Sequence, residues 1–551
     1  MSSPTSTAAA TAPPAATMTH REVLEAMTGL LAGLFTALLS TTIVATALPT
    51  IVGDLKGTQT QYAWVVTVAL LSNAASTPIW GKLSDLFNKK LLVQLSLITF
   101  VVGSALAGAA HNMELLLVGR VIQGLGMGGL TALVVAIIGS IIPPRERGRY
   151  SGYMGAVMAV AMAGGPVLGG VIADSPLGWR WCFYVCIPLA VIALGLLQRT
   201  LHLETQRKDN VTIDWLGATL MTAGVSVLLI WVSFAGKDDY YDWISPESAY
   251  YVIGGVALLA LTVFVESRAK DPIIPLKIIT ERTTALAIIA SVMVGLGMFG
   301  AITFLGQYFQ TARHYSPTEA GLLTIPMVIG MLTGTMVSGQ MITRFGKWKP
   351  FIIGGSILLT VGLALLGTID HATPIVLIGI YMFIMGLGTG SLMQNLVLAV
   401  QNTVSVEDIG AASSNVAFFR TFGGAIGVSV LGSVLATHVA DLSESGLAKL
   451  GIDTSKQSGG GNLDIKSLPA PVADVIRHAY GDATATIFLI GAACAALAIV
   501  AILFIPNRPL RKTIDIEKPA VVDEGTVEAV ASEAEAEAEA EAEAPSRPTA
   551  G

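Results

Sequence analysis

Charged residues are scarce in this chain of 551 residues: Asp, Glu, Lys and Arg make up 13% of it, against roughly 25% in an ordinary soluble domain. Hydrophobic residues make up 53% of the chain, and its mean hydropathy is +0.68. So little charge cannot supply the polar surface of a soluble fold. The composition therefore excludes an ordinary soluble protein and predicts one whose main solvent is a lipid bilayer.

Cysteine and histidine are scarce too, and their positions do not form a recognisable site. Cys182, Cys186 and Cys494 all lie in apolar segments, where small apolar packing is the expected role. A polytopic membrane enzyme would be expected to show paired carboxylates or a histidine cluster at one membrane face, and the seven histidines are scattered, which argues against such an enzyme. The chain has no Gly-rich phosphate loop and no soluble signalling domain, which argues against an ATP-driven machine and against a sensor. We therefore expect no catalytic residue, no metal, no cofactor and no nucleic-acid partner.

The sequence does contain a series of long apolar runs. A helix needs about 20 residues to cross the hydrocarbon core of a bilayer, and backbone groups that face lipid have to be paired within the helix. We therefore predict an all-α polytopic membrane protein with fourteen transmembrane helices. The predicted spans are 24–48, 62–81, 91–110, 115–142, 150–173, 181–198, 213–235, 249–266, 284–309, 318–342, 351–369, 374–400, 411–437 and 484–505.

The two ends of the chain lack such runs. Residues 1–22 have no basic region before a cleavage site, so they are predicted to be a disordered cytoplasmic tail and not a signal peptide. Residues 508–551 include six Glu-Ala repeats and are predicted to be a disordered, acidic, cytoplasmic tail. The last 39 residues, 513–551, carry a net charge of −9, so the other 512 residues carry +3.

The distribution of Lys and Arg predicts the orientation of the chain. With the N-terminus inside the cell, 21 of these residues fall on the cytoplasmic side and 8 on the opposite side. Such an excess on the cytoplasmic side is the rule for multi-pass proteins. We therefore expect a protein of the cell (plasma) membrane with both termini in the cytoplasm.

Two segments resemble each other and indicate an internal duplication. Gly81 to Lys90 and Gly339 to Lys349 each begin with a glycine at the end of an apolar run and end in a basic cluster. They lie eight predicted spans apart on the same side, which fits two six-helix bundles separated by two inserted helices. The predicted domains are an N-terminal bundle over 23–199, a linker with two extra helices over 200–282, and a C-terminal bundle over 283–507 that includes an extracytoplasmic loop over 438–482.

Several short motifs resemble signatures of the major facilitator superfamily. Gly81, Leu83, Asp85, Lys89 and Lys90 match its loop between the second and third helices, although Leu86 and Asn88 replace the usual Arg and Gly. The fourth span matches at Arg120, Gln123, Gly124 and Gly126, and the fifth at Gly152, Gly165, Pro166, Gly169 and Gly170, with Ala161 in place of a usual glycine. With residues 42–52, which lie at the end of the first predicted span and directly after it, the segment 24–505 resembles the fourteen-helix drug:proton antiporters of the EmrB/QacA type.

This resemblance implies a multidrug or metabolite efflux transporter that works by alternating access. It implies export of amphipathic small molecules in exchange for protons, with the proton gradient and not ATP as the energy source. The implied partners are a small-molecule substrate and the bilayer, and the chain is expected to work as a monomer. An exporter of a lipid, a siderophore or an endogenous secondary metabolite would share the motifs and stays an alternative. An uptake symporter would share the fold, but the Gly-Pro signature of the fifth span argues against it.

Two groups of residues are candidates for conformational gating. The resemblance implies that Asp85, with its neighbours Gly81, Lys89 and Lys90, holds the two bundles together in one state; the alternative is a solvated surface pair that contributes roughly 0 to 1 kcal/mol. In the fifth span, two glycines four residues apart allow a close helix contact, and a proline permits a bend. The alternative there is tight packing alone. The candidates in this span are Gly165, Pro166, Gly169 and Gly170.

Two arginines within the spans are candidates for a functional charge. A charge in hydrocarbon is costly unless it meets a partner or water, so Arg120 and Arg420 are predicted to face a cavity. The alternative for Arg120 is to reach the outer surface, because it lies near the start of its span. The sequence has no acid at mid-depth, and Ser40 stands where the family has its first-helix Asp. Proton coupling is therefore assigned to Asp54, with Arg120 tuning its affinity for the proton.

Candidate substrate contacts come from aromatic and amide side chains within the spans. Such residues can line an apolar cavity with a few polar groups. The alternative for each aromatic residue is packing within the fold or contact with lipid. The candidates are Trp64, Phe299, Phe304, Gln307, Tyr308, Gln394 and Asn395.

Overall fold

The computed structural model describes residues 20–56, 59–201, 214–236, 240–269, 272, 276–315, 317–405, 408–449 and 470–511. The described chain is mostly helical and forms no strand within these ranges. The helices are α1 His20–Asp54, α2 Gln59–Leu86, α3 Lys89–Gly108, α4 Met113–Ile141, α5 Pro144–Asp174, α6 Trp181–Tyr184, α7 Cys186–Thr200, α8 Trp215–Phe234, α9 Pro246–Glu266, α10 Leu276–Ile279, α11 Arg282–Thr311, α12 Pro317–Leu323, α13 Ile325–Phe345, α14 Lys349–Leu366, α15 Ile375–Gln401, α16 Ile409–Lys449 and α17 Ala470–Leu503.

The predicted class, an all-α polytopic membrane protein, is confirmed. Twelve of the described helical segments are long and apolar enough to cross a membrane. The other two predicted spans, 62–81 and 213–235, coincide with α2 and α8, and the apolar part of α8 is the shorter segment Leu216–Val232. The helices therefore occur where the apolar runs predict them, while fourteen membrane crossings stay a prediction.

The structure differs from the prediction at several boundaries. The predicted span 318–342 is divided between α12 and α13, because Pro326 lies in the first turn of α13 and cannot continue a helix from before it. The predicted loop 438–482 is shorter, since α16 continues to Lys449 and α17 begins at Ala470. Residues 20–22 of the predicted N-terminal tail are helical. Residues 1–19 and 512–551 lie outside the described ranges, so their predicted disorder is a prediction only.

Two groups of helices each contain their own apolar core. We call α1–α7 the first half and α11–α17 the second half. Leu30, Phe100 and Leu133 are fully buried in the core of the first half, and Phe309, Leu363 and Phe488 in that of the second. Helices α8 and α9 pack against each other, and α8 also packs against α2 and α16. This pair therefore lies beside the two halves, where the sequence predicts two inserted helices.

The two halves repeat one contact at equivalent positions. The Lys90 ammonium, in the first turn of α3, donates a hydrogen bond to the carbonyl of Gln198 near the end of α7, at 2.9 Å. The Lys349 ammonium, at the start of α14, donates to the carbonyl of Leu503 at 2.8 Å and to that of Ile505 at 2.6 Å. In each half a lysine thus satisfies free carbonyls at the end of the last helix. The contact agrees with the predicted duplication of six helices.

Candidate functional site

The first half and the second half are joined by hydrogen bonds at one end of the bundle. We call this end the basic face, because it is where α2 ends, α3 begins with Lys89 and Lys90, and α13 ends at the second basic cluster. Asp85, in the last turn of α2, accepts hydrogen bonds from the backbone N–H groups of Gly410 at 2.9 Å and Ala411 at 2.8 Å. Both N–H groups belong to the first turn of α16, where a helix lacks internal acceptors and favours negative charge. The predicted candidate Asp85 thus joins the two halves.

Gly81 allows this contact to form. It lies one turn before Asp85 on α2, and a side chain added there would overlap the hydroxyl of Ser414 on α16. On the other helix, a side chain added at Gly410 would overlap the Ser84 hydroxyl and the Asp85 carboxylate. Glycine at 81 and at 410 therefore lets the two backbones approach closely enough for the hydrogen bonds to form.

The other candidates in this loop are Lys89 and Lys90. Their contacts differ from those of Asp85. Lys90 bonds within the first half to Gln198, as described above. Lys89 is half-buried at the start of α3. Asn88, which replaces the usual glycine, caps α3 by accepting bonds from the backbone N–H groups of residues 90 and 91. A gating role for the two lysines stays a prediction.

A second contact between the halves at the basic face was not predicted. Arg147 at the start of α5 donates to the side-chain carbonyl of Gln401 at the end of α15, at 2.7 Å. The same guanidinium donates to the backbone carbonyls of Ile142, at 2.7 Å, and Gly139. Gln401 in turn donates to the Ser413 hydroxyl at 2.7 Å. From the sequence, Arg147 contributed only to the count of cytoplasmic charge, and its partner 254 residues later gave no signal.

The glycines of the fifth span form a close contact within the first half. A side chain at Gly165 would overlap the hydroxyl of Thr42 on α1, and one at Gly169 would come within 2.7 Å of the carbonyl of Ile43. The Thr42 hydroxyl also donates to the carbonyl of Ala161 at 3.1 Å. Gly170 is buried, and α5 continues through Pro166 without interruption. This geometry favours the packing role, and a direct gating role for these four residues stays a prediction.

Arg120 belongs to a buried polar network inside the first half. Its guanidinium donates to the carbonyl of Val65 at 3.2 Å and to the side-chain carbonyl of Gln123. The Gln123 amide donates to the hydroxyls of Ser104 at 2.8 Å and Ser40 at 3.1 Å. Arg120 is therefore buried and does not reach the surface, and it is connected through Gln123 to the position where the family has an aspartate.

Asp54 lies apart from this network. It is exposed at the end of α1 and accepts a hydrogen bond from the Trp179 indole N–H at 2.8 Å. Its other partner is Arg180, whose guanidinium lies 3.5 Å from the carboxylate and stacks on the Trp179 ring at 4.4 Å. The structure thus gives Asp54 and Arg120 separate partners, and the cation beside Asp54 is Arg180.

Arg420 lies in α16, within the predicted span 411–437. It follows the first residue of α16 by eleven positions, or about 16 Å along the helix axis, in a hydrocarbon core about 30 Å thick. The side chain is partly buried, and one guanidinium N–H donates to the carbonyl of Met393 on α15 at 3.1 Å. Arg420 is therefore directed toward the helices that surround Met393.

A group of methionines from both halves includes Met393. We call Met158 and Met162 of α5, Met298 of α11, Met331 of α13 and Met393 of α15 the methionine cluster. Phe299, Ile302, Val328 and Leu332 pack around it. Thioether side chains are flexible and polarizable, and they suit surfaces that accept ligands of varied shape. The cluster was missed from the sequence because its members are dispersed over four helices.

The predicted substrate contacts divide between this cluster and the packed core. Phe299 lies at the cluster, and the Gln394 amide lies 3.9 Å from the sulfur of Met158. Asn395 is buried and donates to the Ser338 hydroxyl at 3.0 Å and to the carbonyl of Ser391. The structure brings Phe299 and Gln394 together with the methionines of both halves.

The remaining candidates lie elsewhere. Phe304 and Tyr308 are buried in the core of the second half, and the Tyr308 hydroxyl donates to the carbonyl of Asp370 at 2.6 Å. Trp64 packs against the ring of Phe234 on α8, with 4.5 Å between ring centroids. The side chain of Gln307 lies outside the described residues. The positions of Trp64, Phe304 and Tyr308 favour packing, and substrate contact by all seven candidates stays a prediction.

Comparisons with known proteins agree with this arrangement. The chain is 36% identical over 420 residues to the multidrug transporter protein MdtP of Bacillus subtilis, covering 76% of each protein. It is 31% identical over 502 residues to multidrug resistance protein 3 of the same organism, covering 89% of this chain and 97% of the relative. The fold resembles that of the proton:xylose symporter XylE with a TM-score of 0.58 at 13% identity, over 89% of this chain and 98% of that structure. The family model of the Major Facilitator Superfamily matches residues 30–428, and the chain is therefore a multi-pass membrane transporter of this superfamily, as its motifs predict.

Proposed function

We propose that this protein exports amphipathic small molecules from the cell by alternating access. The observation that carries the proposal is the methionine cluster, to which α5 of the first half and three helices of the second half contribute. A flexible apolar surface shared by two halves can bind varied substrates and can open to either side as the halves rotate. The names of the two relatives from Bacillus subtilis support export of more than one compound.

The bond between Asp85 and α16 fits the conformational part of this cycle. It joins the halves at the basic face, and it has to break before a path can open between α2 and α16 on that side. The excess of Lys and Arg on this side supports a cytoplasmic position for the basic face and for both termini, in the plasma membrane. Both walls of the binding region come from one chain, which supports a transporter that works as a monomer.

The proton gradient is the proposed energy source, with no bound cofactor. The sequence has no acid at mid-depth of its spans, so the proton carrier is assigned to the end of α1, where Asp54 lies beside Arg180. Asp54→Asn is expected to abolish the dependence of export on external pH. An unchanged pH dependence in this variant would assign coupling to another group.

The test is efflux from cells with and without the protein. A panel of amphipathic dyes of positive, neutral and negative charge would be loaded, and their release followed at two external pH values with and without an uncoupler. Export that needs the protein, increases as the outside becomes more acidic and stops with the uncoupler is the expected result. Release that is equal with and without the protein, at equal amounts of membrane-inserted chain, would refute export. Protein-dependent release that changes neither with external pH nor with the uncoupler would refute proton coupling but not export.

A further inference from the structure

Away from their ends, the predicted membrane spans of this protein carry positive charge only. Apart from the first two residues and the last residue of each predicted span, the spans contain no Asp, Glu or Lys, and their charged residues are Arg120 and Arg420. A guanidinium is always protonated in proteins. Two positive charges in a low-dielectric interior without an acid raise the free energy of the empty transporter and favour an anion as ligand.

The two arginines differ in what already satisfies them. Arg120 is buried within the first half and donates to Val65 and to Gln123, whose own amide is held by two serines. Arg420 has one hydrogen bond, to the carbonyl of Met393, among the described residues. The remaining donors of its planar guanidinium can therefore bind a ligand, and they can do so as a two-pronged pair.

Arg420 also has the position that such a role requires. Its acceptor, Met393, is a member of the methionine cluster, and Gln394, the next residue, contacts Met158 of the opposite half. A cation is thus bonded to the backbone of a helix that contributes to an apolar cluster between the two halves. An amphipathic molecule with one anionic group would place its charge and its apolar body on these two features together.

We propose that Arg420 binds the anionic group of the transported substrate while the methionine cluster holds its apolar body, so that the preferred substrates are amphipathic organic anions such as carboxylates. This inference rests on the proposed export function and names its substrate class. Hydrogen bonds between a charged donor and a charged acceptor are shorter and stronger than neutral ones. Loss of the anionic group, or of Arg420, is expected to weaken binding about 10-fold or more.

Binding to the purified full-length protein tests the inference directly. The probes are dansylaminoundecanoic acid and its methyl ester, which share one apolar body and differ in charge, and dansyl fluorescence reports binding. The wild-type protein is expected to bind the acid at least about 10-fold more tightly than the ester. Equal affinity for the two probes, or no binding of the acid, would overturn the inference without any substitution.

Three variants assign the preference to a residue. Arg420→Gln is expected to bind the acid and the ester alike, while Arg420→Lys, which retains the charge but not the planar fork, keeps part of the preference. Arg344→Gln is the matched control, since it removes an exposed arginine at the end of α13 and is expected to leave the preference unchanged. A full preference in Arg420→Gln would overturn the assignment. If neither Arg420 variant elutes as a single species, the ratio of acid to ester affinity in the wild-type protein decides whether the protein prefers the anionic probe.

Transport separates this inference from the export proposal. In vesicles that contain the protein, export of the acid in preference to the ester and to the cation ethidium supports both. Export of the ester or of ethidium without the acid retains the export function and overturns the anionic substrate class. Binding of the acid without export of any probe retains the anion site and contradicts the export function.

Discussion

Replacing Asp85 with asparagine removes a charge and keeps the shape of the side chain. The carboxylate accepts one N–H bond on each oxygen, from Gly410 at 2.9 Å and from Ala411 at 2.8 Å. Asparagine offers one oxygen, and its amide group would direct a donor at the second N–H. A hydrogen bond to a charged group contributes about 1.5–3 kcal/mol, and a charge at a helix N-terminus about 0.3–1 kcal/mol. We expect Asp85→Asn to destabilise the closed basic face by about 2–4 kcal/mol, or roughly 30- to 1,000-fold in the equilibrium between closed and open states.

Hydrogen–deuterium exchange of the full-length protein measures this shift. The amides at the start of α16 are bonded to Asp85 while the halves touch, and they become exposed to solvent once the basic face opens. In Asp85→Asn, the peptide that contains residues 409–415 is expected to exchange faster by a factor within the range above, and transport is expected to fall at an unchanged amount of protein in the membrane.

The control for this experiment is Asp474→Asn. This change removes an equal charge from an exposed pair with Arg477 on α17, at the other end of the bundle, where surface pairs contribute little. Exchange at the start of α16 should then equal that of the wild-type protein. Wild-type exchange and wild-type transport in Asp85→Asn would refute the idea that this bond holds the two halves together.

Three further changes test other contacts. Gly165→Val should lower the free energy of unfolding of the purified protein by about 1–3 kcal/mol or more, because the new side chain overlaps Thr42. The melting temperature measures this loss, and an unchanged value would contradict the close contact between α1 and α5. Gly346→Ala should destabilise the protein by about 1–2 kcal/mol in the same measurement, since residue 346 ends α13 at a φ of 68°. Gly354→Ala is the control, because Gly354 lies within a helix and an added side chain there would meet open space. Gln401→Ala should leave one donor of Arg147 without its acceptor and speed exchange at the start of α5; protection equal to wild type there would show that this bond does not hold the halves.

The helices could be predicted because the bilayer imposes their length and composition. The fourth predicted span, 115–142, corresponds to α4 at Met113–Ile141, and the eleventh, 351–369, to α14 at Lys349–Leu366. The lengths of α16 and α17 could not be predicted in the same way. Their outer ends are polar and extend beyond the apolar runs, so hydropathy does not mark where they stop.

For a contact in the candidate site, the sequence could indicate no more than one of the two partners. Asp85 belongs to a recognisable motif, but its partners are backbone N–H groups, which every sequence supplies and no motif marks. The bond between Arg147 and Gln401 depends on how the halves meet. The methionine cluster likewise depends on tertiary packing, because one or two methionines in a helix are common and become a surface only when four helices converge.

The two copies of the duplicated loop retain different contacts, and the difference has a physical reason. Lys90 and Lys349 make the same contact, each within its own half, and this contact can persist throughout a transport cycle. The contact of Asp85 has no equivalent at Thr343, whose hydroxyl bonds to the carbonyl of Gly339 in its own helix. A contact between halves has to break in every cycle. The Asp85 bond of about 2–4 kcal/mol acts together with the bond between Arg147 and Gln401. A further bond of the strength of Asp85 at residue 343 would add about 2–4 kcal/mol, and about 5.5 kcal/mol already moves an equilibrium from 1:99 to 99:1. Thr343→Asp is therefore expected to slow transport only if it gains a partner on the first half, which exchange at the start of α5 would reveal.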